Sequence, residues 1–175
     1  ETCTEVTSVD TKTKTVKAKD LNTSEEKEYT YDKLVITTGA SPVVPRLDGV
    51  DLPGVFCMRT PDDAFAVKDY IDEKEVKRAV VVGGGFIGLE VAENLRTKDM
   101  RVTVIDLADQ VLPGFSPDFA AYAKDHLELD GIKVMTGVKP EAFLGTDCEE
   151  KVQTDRRSLH ADLVILSMGT RATHG

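Results

Sequence analysis

The sequence predicts an α/β fold, in which a domain with a parallel β-sheet and a small antiparallel β excursion follows an antiparallel β-meander. From residue 78 onward, short β-branched apolar runs alternate with stretches of helical periodicity, as in proteins with parallel sheets. A glycine-rich turn joins one of these runs to the helix pattern that follows it. Residues 1–31 instead alternate valine with polar residues, which is typical of antiparallel strands with one solvent-exposed face.

Two segments of different composition follow this meander. Residues 33–39 form a β-branched apolar run that ends at glycine, and this pattern predicts a buried strand. Prolines and glycines interrupt any regular element in residues 40–53. We interpret that segment as part of a linker or domain boundary.

A first helix is predicted to begin beside Thr60, which is a suitable N-cap, because Pro61 fits the first helical position. It is expected to end near Glu73. The side chains on its apolar face follow helical spacing. They are Ala64, Val67, Tyr70 and Ile71.

The most informative block of the sequence is a strand, a turn, a helix and a second strand. Arg78–Val82 predicts a short buried strand, and the turn Gly-Gly-Gly-Phe-Ile-Gly follows at residues 83–88. Residues 86–98 predict a helix, and residues 101–106 predict the second strand. The packed face of this helix is expected to carry Ile87, Val91, Ala92 and Leu95.

The remaining elements complete the α/β pattern. A helix is predicted to start after Ser116 and to end at Gly131. The further expectations are a strand at residues 132–136, an antiparallel excursion at residues 141–161 and a last buried strand at residues 161–167.

Composition and charge exclude several classes of partner. The formal net charge is −9 at pH 7, whereas nucleic-acid binding needs a basic surface. No apolar run reaches the roughly 18 residues of a membrane span. The expectation is therefore a protein with neither a nucleic-acid nor a membrane partner.

The cysteines and histidines carry no recognisable site. Cys3, Cys57 and Cys148 lie far apart and have neither metal-binding nor redox spacing, so a reducing, cytoplasmic setting is expected. The histidines are equally scattered, and no metal site is predicted. They are His126, His160 and His174.

The glycine turn is the centre of the functional prediction, because each glycine has a physical role. Gly83 allows a tight turn out of the strand, Gly85 leaves room for a pyrophosphate, and Gly88 allows close packing of helix and strand. The N–H groups around Phe86 and Ile87 at the helix N-terminus would then bind the phosphates. The prediction is a Rossmann-like dinucleotide site; the alternative is an empty tight turn.

An acidic residue at the end of the next strand specifies the nucleotide. Asp106 follows Gly83 by 23 residues, close to the usual spacing of about 20. Its carboxylate would accept hydrogen bonds from the ribose hydroxyls and repel a 2′-phosphate, and Leu107 after it supplies no cation. We therefore expect NAD(H) to be preferred over NADP(H), although Asp106 could also be an ordinary strand-end residue.

Glu90 lies two residues after Gly88, in the first turns of the helix. One interpretation is that it compensates the helix dipole. The other is that it lies near the nicotinamide ring. Spacing alone does not separate the two.

Taken together, these segments resemble the pyridine nucleotide-disulfide oxidoreductases, in particular the branch of coenzyme A-disulfide reductases, NADH oxidases and NADH peroxidases. The resemblance rests on the glycine turn, residues 104–106 and 110–113, and residues 31–42, 53–64 and 161–169. It implies an FAD-dependent enzyme in which NADH passes a hydride to FAD, and the flavin then reduces a disulfide, oxygen or peroxide-type acceptor.

The resemblance also implies roles for particular residues and segments. Thr38 and Gly39 would lie close to FAD, Gly169 would lie near the nicotinamide side of the NAD site, and Glu90 would lie near the reaction centre. Residues 1–44 would be a β-rich remnant of the FAD-binding domain, residues 45–64 a linker or crossover, and residues 65–175 the NAD(H)-binding domain. The parent protein is expected to be a homodimer.

The sequence departs from that family pattern in ways that limit the prediction. It contains neither a first FAD-binding glycine turn nor the early redox cysteine, and residues 171–173 read Arg-Ala-Thr where Arg-Pro-Asn is more usual. We therefore expect the middle of a longer protein, inactive alone and binding little FAD.

Two alternatives of other classes remain at this point. One is a stand-alone NAD-binding sensor or scaffold without catalysis. The other is a nicotinamide dehydrogenase without flavin, which is weaker because no His, Lys or Tyr constellation accompanies the turn. An upstream G-x-G-x-x-G motif and a downstream domain in the gene would favour the flavoenzyme.

Overall fold

The computed structural model describes residues 1–146 and 149–173, and the chain divides into two compact units between Gly39 and Ala40. The first unit is a three-stranded antiparallel sheet of β1 (Thr4–Asp10), β2 (Thr15–Asp20) and β3 (Glu26–Thr30), in that order. The predicted meander is confirmed.

The prediction of a buried strand at residues 33–39 is wrong. This segment is irregular, and its apolar side chains face solvent, with Val35 79% and Ile36 63% exposed. A strand is stabilised by a hydrogen-bonded neighbour and by cover on its apolar faces. No strand in the described part of the chain pairs with this segment.

The second unit, from Ala40, is an α/β domain, as predicted. Its strands up to the glycine turn are β4 (Ala40–Pro42), β5 (Val55–Cys57) and β6 (Arg78–Val82), with helix α1 (Pro61–Lys74) before β6. The later elements are α2 (Phe86–Arg96), β7 (Arg101–Ile105), α3 (Pro117–Leu129), β8 (Lys133–Met135), β9 (Pro140–Thr146), β10 (Glu149–Thr154), β11 (Ser158–Ala161), β12 (Leu163–Leu166) and β13 (Thr170–Ala172).

The centre of this unit is a five-stranded parallel sheet in the order β5-β12-β6-β7-β8. Helices cover one face, where Ala92 and Leu95 of α2 pack on Val81 and Val104. A three-stranded antiparallel sheet, β11-β10-β9, covers the other face. The predicted excursion thus takes the place of a second helix layer.

Alternation along the strands explains this three-layer arrangement. Val81 of β6 belongs to the helix-side core, whereas its neighbours Val80 and Val82 belong to the core against the antiparallel sheet. Successive side chains of a strand point to opposite faces. A continuous apolar strand therefore needs to be covered on both faces, and the helices cover one face and the antiparallel sheet β11-β10-β9 the other.

The helices agree with the sequence-based expectations at the start of α1 and differ from them in α2. Helix α1 has the expected Thr60 N-cap, and the Asp63 side chain completes a capping box. Helix α2 ends at Arg96, and its buried side includes Leu89, whereas Ile87 is 45% exposed. Placing Ile87 on the packed face was wrong, because at the first turn that direction opens onto a cleft.

The assignment of residues 1–44 to an FAD-binding domain and of residues 65–175 to an NAD(H)-binding domain stays a prediction. The second unit already begins at Ala40, since β4 pairs with β13 in a two-stranded antiparallel ribbon. Strand β5, which lies inside the segment interpreted as a linker, pairs with β12 in the central sheet. Tertiary pairing therefore gives this segment regular structure despite its prolines and glycines.

Candidate functional site

A cleft of about 630 Å³ opens at the carboxyl ends of the parallel strands. Val82, Ile105 and Leu166, the last residues of β6, β7 and β12, all line it. Strand order changes direction here, since the chain runs from β6 towards β7 and β8 on one side and later returns to β12 on the other. Ligands of open α/β sheets bind at this kind of switch point.

The glycine turn forms one wall of the cleft and continues directly from β6. Gly83 donates its N–H to the Ile105 carbonyl at 2.8 Å. Its φ of +115° falls in a region that favours glycine, and a Cβ there would overlap the Ser167 carbonyl oxygen. Gly83 is thus required by the turn itself.

Gly88 and Gly85 differ in what surrounds them. A Cβ on Gly88 would overlap the Gly83 carbonyl oxygen and lie 2.6 Å from Ser167 Oγ, so close packing of α2 on the strand ends requires glycine. A Cβ on Gly85 would meet no atom of the described protein within 4 Å. Nothing in the fold requires glycine at position 85, and Gly85 is one of the residues that line the cleft.

Helix α2 starts at this open point. Gly85 is its N-cap, and neither a side-chain cap nor an acidic residue occupies the first turn. Phe86 and Ile87 line the cleft and are 67% and 45% exposed. The helix end can therefore offer N–H groups and a partial positive charge to an anion. These features fit the pyrophosphate of a dinucleotide.

Asp106 lies beside the turn. One carboxylate oxygen accepts the N–H of Gly84 at 2.5 Å and the other accepts the N–H of Ala108 at 2.7 Å. Asp106 and Leu107 both line the cleft. The acid therefore fixes the backbone of the turn, and because a carboxylate has about four acceptor positions, it also retains capacity for ribose hydroxyls.

The opposite wall comes from the end of β12. Ser167 donates its N–H to the Val82 carbonyl at 2.8 Å, which holds this strand end against the turn. Gly169 follows with a φ of +91°, lines the cleft and has open space on its Cβ side. Its carbonyl accepts the N–H of Val43 at 2.9 Å.

The structure brings most of the predicted NAD-site residues together. Gly83, Gly85, Phe86, Ile87, Asp106 and Gly169 all line the one cleft. Gly88 lies behind it as a packing residue. Glu90 is exposed on α2 and is not among the described lining residues, and its carbonyl accepts a hydrogen bond from Asn94.

Thr38 and Gly39 belong to the first unit, whereas the cleft-lining residues all belong to the second. Both residues are exposed, and Gly39 has a φ of +75°. Their assignment to an FAD site stays a prediction.

Several lining residues were not anticipated from the sequence. They are Lys139, Pro140, Ser167 and Met168, Met58 after β5, and three residues from the proline-rich segment, Pro42, Pro45 and Leu47. Lys139 and Pro140 follow β8, and Ser167 and Met168 follow β12, so the rule that ligands bind at the carboxyl ends of parallel strands could have indicated them.

None of the cysteines and histidines that the structure describes is among the residues that line the cleft. Cys3 is exposed and Cys57 is half-buried, and burial, followed by the nearby Asp63 charge, raises the pKa of the Cys57 thiol. Cys148 and His174 fall outside the described residues. The exposed His126 and Asp130 form a cluster with the half-buried Glu93, with ligand atoms within 4.8 Å of one another.

No helix in the described residues is both long and apolar enough to cross a membrane.

The α/β fold and a cleft at the strand ends are the features expected of a dinucleotide-binding protein, and comparison with known proteins specifies the class. The family model "Pyridine nucleotide-disulphide oxidoreductase" matches residues 1–174. The chain belongs to this family, as its sequence motifs indicated.

Individual relatives agree with this assignment. The chain is 42% identical over 169 residues to an NADH oxidase of Methanocaldococcus jannaschii, covering 96% of this chain and 38% of that protein. The structure of a water-forming NADH oxidase from Lactobacillus brevis bound to NADH matches with a TM-score of 0.84 at 33% identity, covering 97% of this chain and 38% of the other.

An FAD-dependent pyridine nucleotide-disulphide oxidoreductase from Desulfovibrio vulgaris matches with a TM-score of 0.74 at 39% identity, covering 95% of this chain and 43% of the other. The chain thus spans less than half the length of these relatives.

Proposed function

We propose that this chain is the NAD(H)-binding portion of an FAD-dependent pyridine nucleotide-disulfide oxidoreductase. The observation that carries the proposal is Gly85, whose Cβ side is open in the cleft wall, whereas the fold itself requires Gly83 and Gly88. The open space beside Gly85 lies at the N-terminus of α2, which has no side-chain cap. A pyrophosphate fits such a position.

The dinucleotide would lie across the strand ends of the sheet. The pyrophosphate site would be formed by Gly83, Gly85, Phe86, Ile87 and Gly88. The N–H groups of the first turn of α2, which has no side-chain cap, would bind the phosphates. Asp106 would bind the adenosine ribose. Gly169, which has no side chain to block the cleft, would lie on the nicotinamide side.

NADH supplies a hydride when bound, and in the parent protein FAD would accept it and reduce a disulfide, oxygen or peroxide-type acceptor. The NADH oxidase names of two relatives support oxygen as one possible acceptor class. The part of this chain is to bind and orient the reductant.

Three further features belong to the proposal for the parent protein. Thr38 and Gly39 would contribute one edge of the FAD site, and Glu90 would lie near the nicotinamide. The parent would be a homodimer in the cytoplasm. The family resemblance supports these assignments, and the alternative of an NAD-binding module without catalysis has no supporting observation.

A titration tests the proposal. Reduced nucleotide is added to the purified chain, and binding is followed by NADH fluorescence and by calorimetry. NADH is expected to bind more tightly than NADPH, because the Asp106 carboxylate repels a 2′-phosphate. Absence of NADH binding would refute the assigned site.

A longer chain tests the proposal that FAD binds to the parent protein and not to this chain alone. The complete coding sequence is expressed beside this chain, and bound flavin is measured by absorbance. Stoichiometric FAD is expected only in the longer protein, where NADH should bleach it. A yellow, stoichiometrically flavinylated preparation of this chain alone would contradict the expected division of the two cofactor sites.

A further inference from the structure

Lys139 is a cation on the Asp106 side of the cleft. It lies just before β9, and its residue lines the cleft with Asp106 and Leu107. Among the described lining residues, Lys139 is the sole cation and Asp106 the sole anion. The NAD-site assignments above leave this lysine without a role.

Hydrogen bonds hold the backbone before Lys139 beside the acid. Asp106 donates its N–H to Met135 at 3.0 Å, and its carbonyl accepts the N–H of Val138 at 2.8 Å. Gly137 donates its N–H to Ala108 at 2.8 Å. The chain after β8 is therefore fixed along the chain after β7, and Lys139 is the next residue.

Lys139 itself is fixed through its backbone only. Its N–H donates to the Asp155 carboxylate at 3.0 Å, and its carbonyl accepts the Asp155 N–H at 3.1 Å. The lysine is exposed, and its ammonium group forms no ion pair with any residue that the structure describes. By contrast, the nearby Arg156 guanidinium donates to the Gly137 carbonyl at 2.7 Å.

We propose that the Lys139 ammonium group binds the 2′-phosphate of NADP(H), so that the cleft accepts NADPH as a second, weaker reductant despite Asp106. The inference rests on the proposed dinucleotide site. A lysine carries a compact positive charge on a long, flexible side chain and is a common ligand of phosphate. The Lys139 side chain is therefore long enough to contact a 2′-phosphate on a ribose that the shorter Asp106 side chain binds.

The position of the lysine favours the 2′-phosphate over the pyrophosphate. The pyrophosphate is assigned to the N-terminus of α2, at Gly85 and Phe86. Lys139 instead belongs to the segment that is hydrogen-bonded to the Asp106 and Ala108 backbone. Asp106 marks the ribose whose 2′-oxygen carries the additional phosphate.

Replacing Lys139 by methionine tests the inference, because it removes the charge and keeps most of the side-chain length. Lys133→Met is the matched control: it makes the same charge change on β8, at an exposed residue that does not line the cleft. Calorimetric titrations of each chain use NADH, NADPH, 5′-ADP and 2′,5′-ADP.

Lys139→Met is expected to weaken NADPH and 2′,5′-ADP binding by about five-fold, the upper range for one exposed ion pair. NADH and 5′-ADP should be almost unaffected, and high salt should reduce the difference because exposed charges are screened. Lys133→Met should leave the NADPH-to-NADH affinity ratio unchanged.

Two results would overturn the assignment of Lys139. One is an equal loss for ligands with and without the 2′-phosphate, which would place the lysine on a shared part of the nucleotide. The other is an equal effect of Lys133→Met, which would indicate a general charge effect. If wild-type chain bound none of the four ligands, the proposed dinucleotide site would fail, and the inference with it.

Discussion

The Asp106 carboxylate accepts the backbone N–H of Gly84 at 2.5 Å, so the acid at the end of β7 fixes the turn at the end of β6. A second hydrogen bond, from Ala108 at 2.7 Å, holds the other oxygen. The two interpretations of this acid, as a structural residue and as a ribose ligand, are therefore compatible. A single side chain orients the glycine turn and leaves acceptor positions beside it.

Asp106→Ala is expected to lower both stability and NADH affinity. The change leaves two N–H groups without their acceptor, which costs about 1–3 kcal/mol of unfolding free energy. Urea unfolding and NADH titration measure the two effects. Asp106→Asn should fall between, since an amide oxygen still accepts one hydrogen bond. Unchanged stability in the alanine variant would contradict the structural role.

Two of the motif glycines, Gly85 and Gly88, are expected to respond differently to substitution. Gly85→Val should abolish NADH binding and leave the unfolding midpoint nearly unchanged, because its Cβ side is open. Gly88→Ala should destabilise the fold, since its Cβ overlaps the Gly83 carbonyl oxygen. Thermal unfolding and NADH titration separate these outcomes.

Gly114→Ala is the control, because this glycine also has no neighbour within 4 Å of a built Cβ. It should bind NADH as wild type does. If Gly85→Val kept wild-type NADH affinity, the pyrophosphate would have to bind elsewhere.

Asp162 links the starts of two central strands and gives stability a defined pH dependence. It accepts the Arg78 guanidinium at 2.6 Å and the backbone N–H groups of Lys77 and Arg78 at 3.1 and 2.8 Å. Burial acts to raise the pKa of Asp162, but these hydrogen bonds outweigh it, and the net pKa lies below its ordinary value.

Because the folded pKa is lowered, this stabilisation is present above the unfolded pKa of about 3.9 and is lost as pH falls through the folded value. Asp162→Asn should cost about 2 kcal/mol of unfolding free energy at pH 7. Urea unfolding should show the difference from wild type shrinking in acid. The control is Asp72→Asn, which removes an exposed ion pair with Lys68 and should change the free energy of unfolding little. A loss for Asp162→Asn that did not depend on pH would contradict the link between Asp162 ionisation and stability.

The exposed apolar segment at residues 33–39 predicts a contrast between two valines. Val35→Ala should leave the unfolding free energy nearly unchanged, because the side chain is 79% exposed. Val81→Ala should cost about 2 kcal/mol, since this fully buried side chain fills the sheet core. Chemical denaturation compares them, and an equal loss would indicate that Val35 is buried in solution.

The sequence predicted the strand–turn–helix–strand unit well because its signals are local. Strand β6 is a continuous apolar run and the turn glycines follow it directly. Asp106 could be assigned by spacing, since a strand–turn–helix–strand unit has nearly constant length. These are the parts of the site where chain order and spatial order coincide.

Other parts depend on pairing between distant residues and could not be predicted. Strand β5 has only three residues and exists because β12, more than a hundred residues later, pairs with it. The opposite holds for Val35 and Ile36, where a β-type composition lacks a pairing strand in the described chain. Lys139 is an intermediate case: its position after β8 could have indicated a cleft residue, but its place beside Asp106 comes from hydrogen bonds to the Asp106 loop.

Strands β4 and β13 lie at the two ends of the second unit, and they pair with each other, Ala40 opposite Ala172 and Pro42 opposite Thr170. The chain therefore enters and leaves this unit at one point. A unit with adjacent ends can be inserted into a host protein, or exchanged between proteins, while the flanking host segments stay close together. Residues 40–173 thus have the geometry of a unit that can be moved between host proteins. A variant of this unit made in one host could be transferred to another without changing the rest of that host.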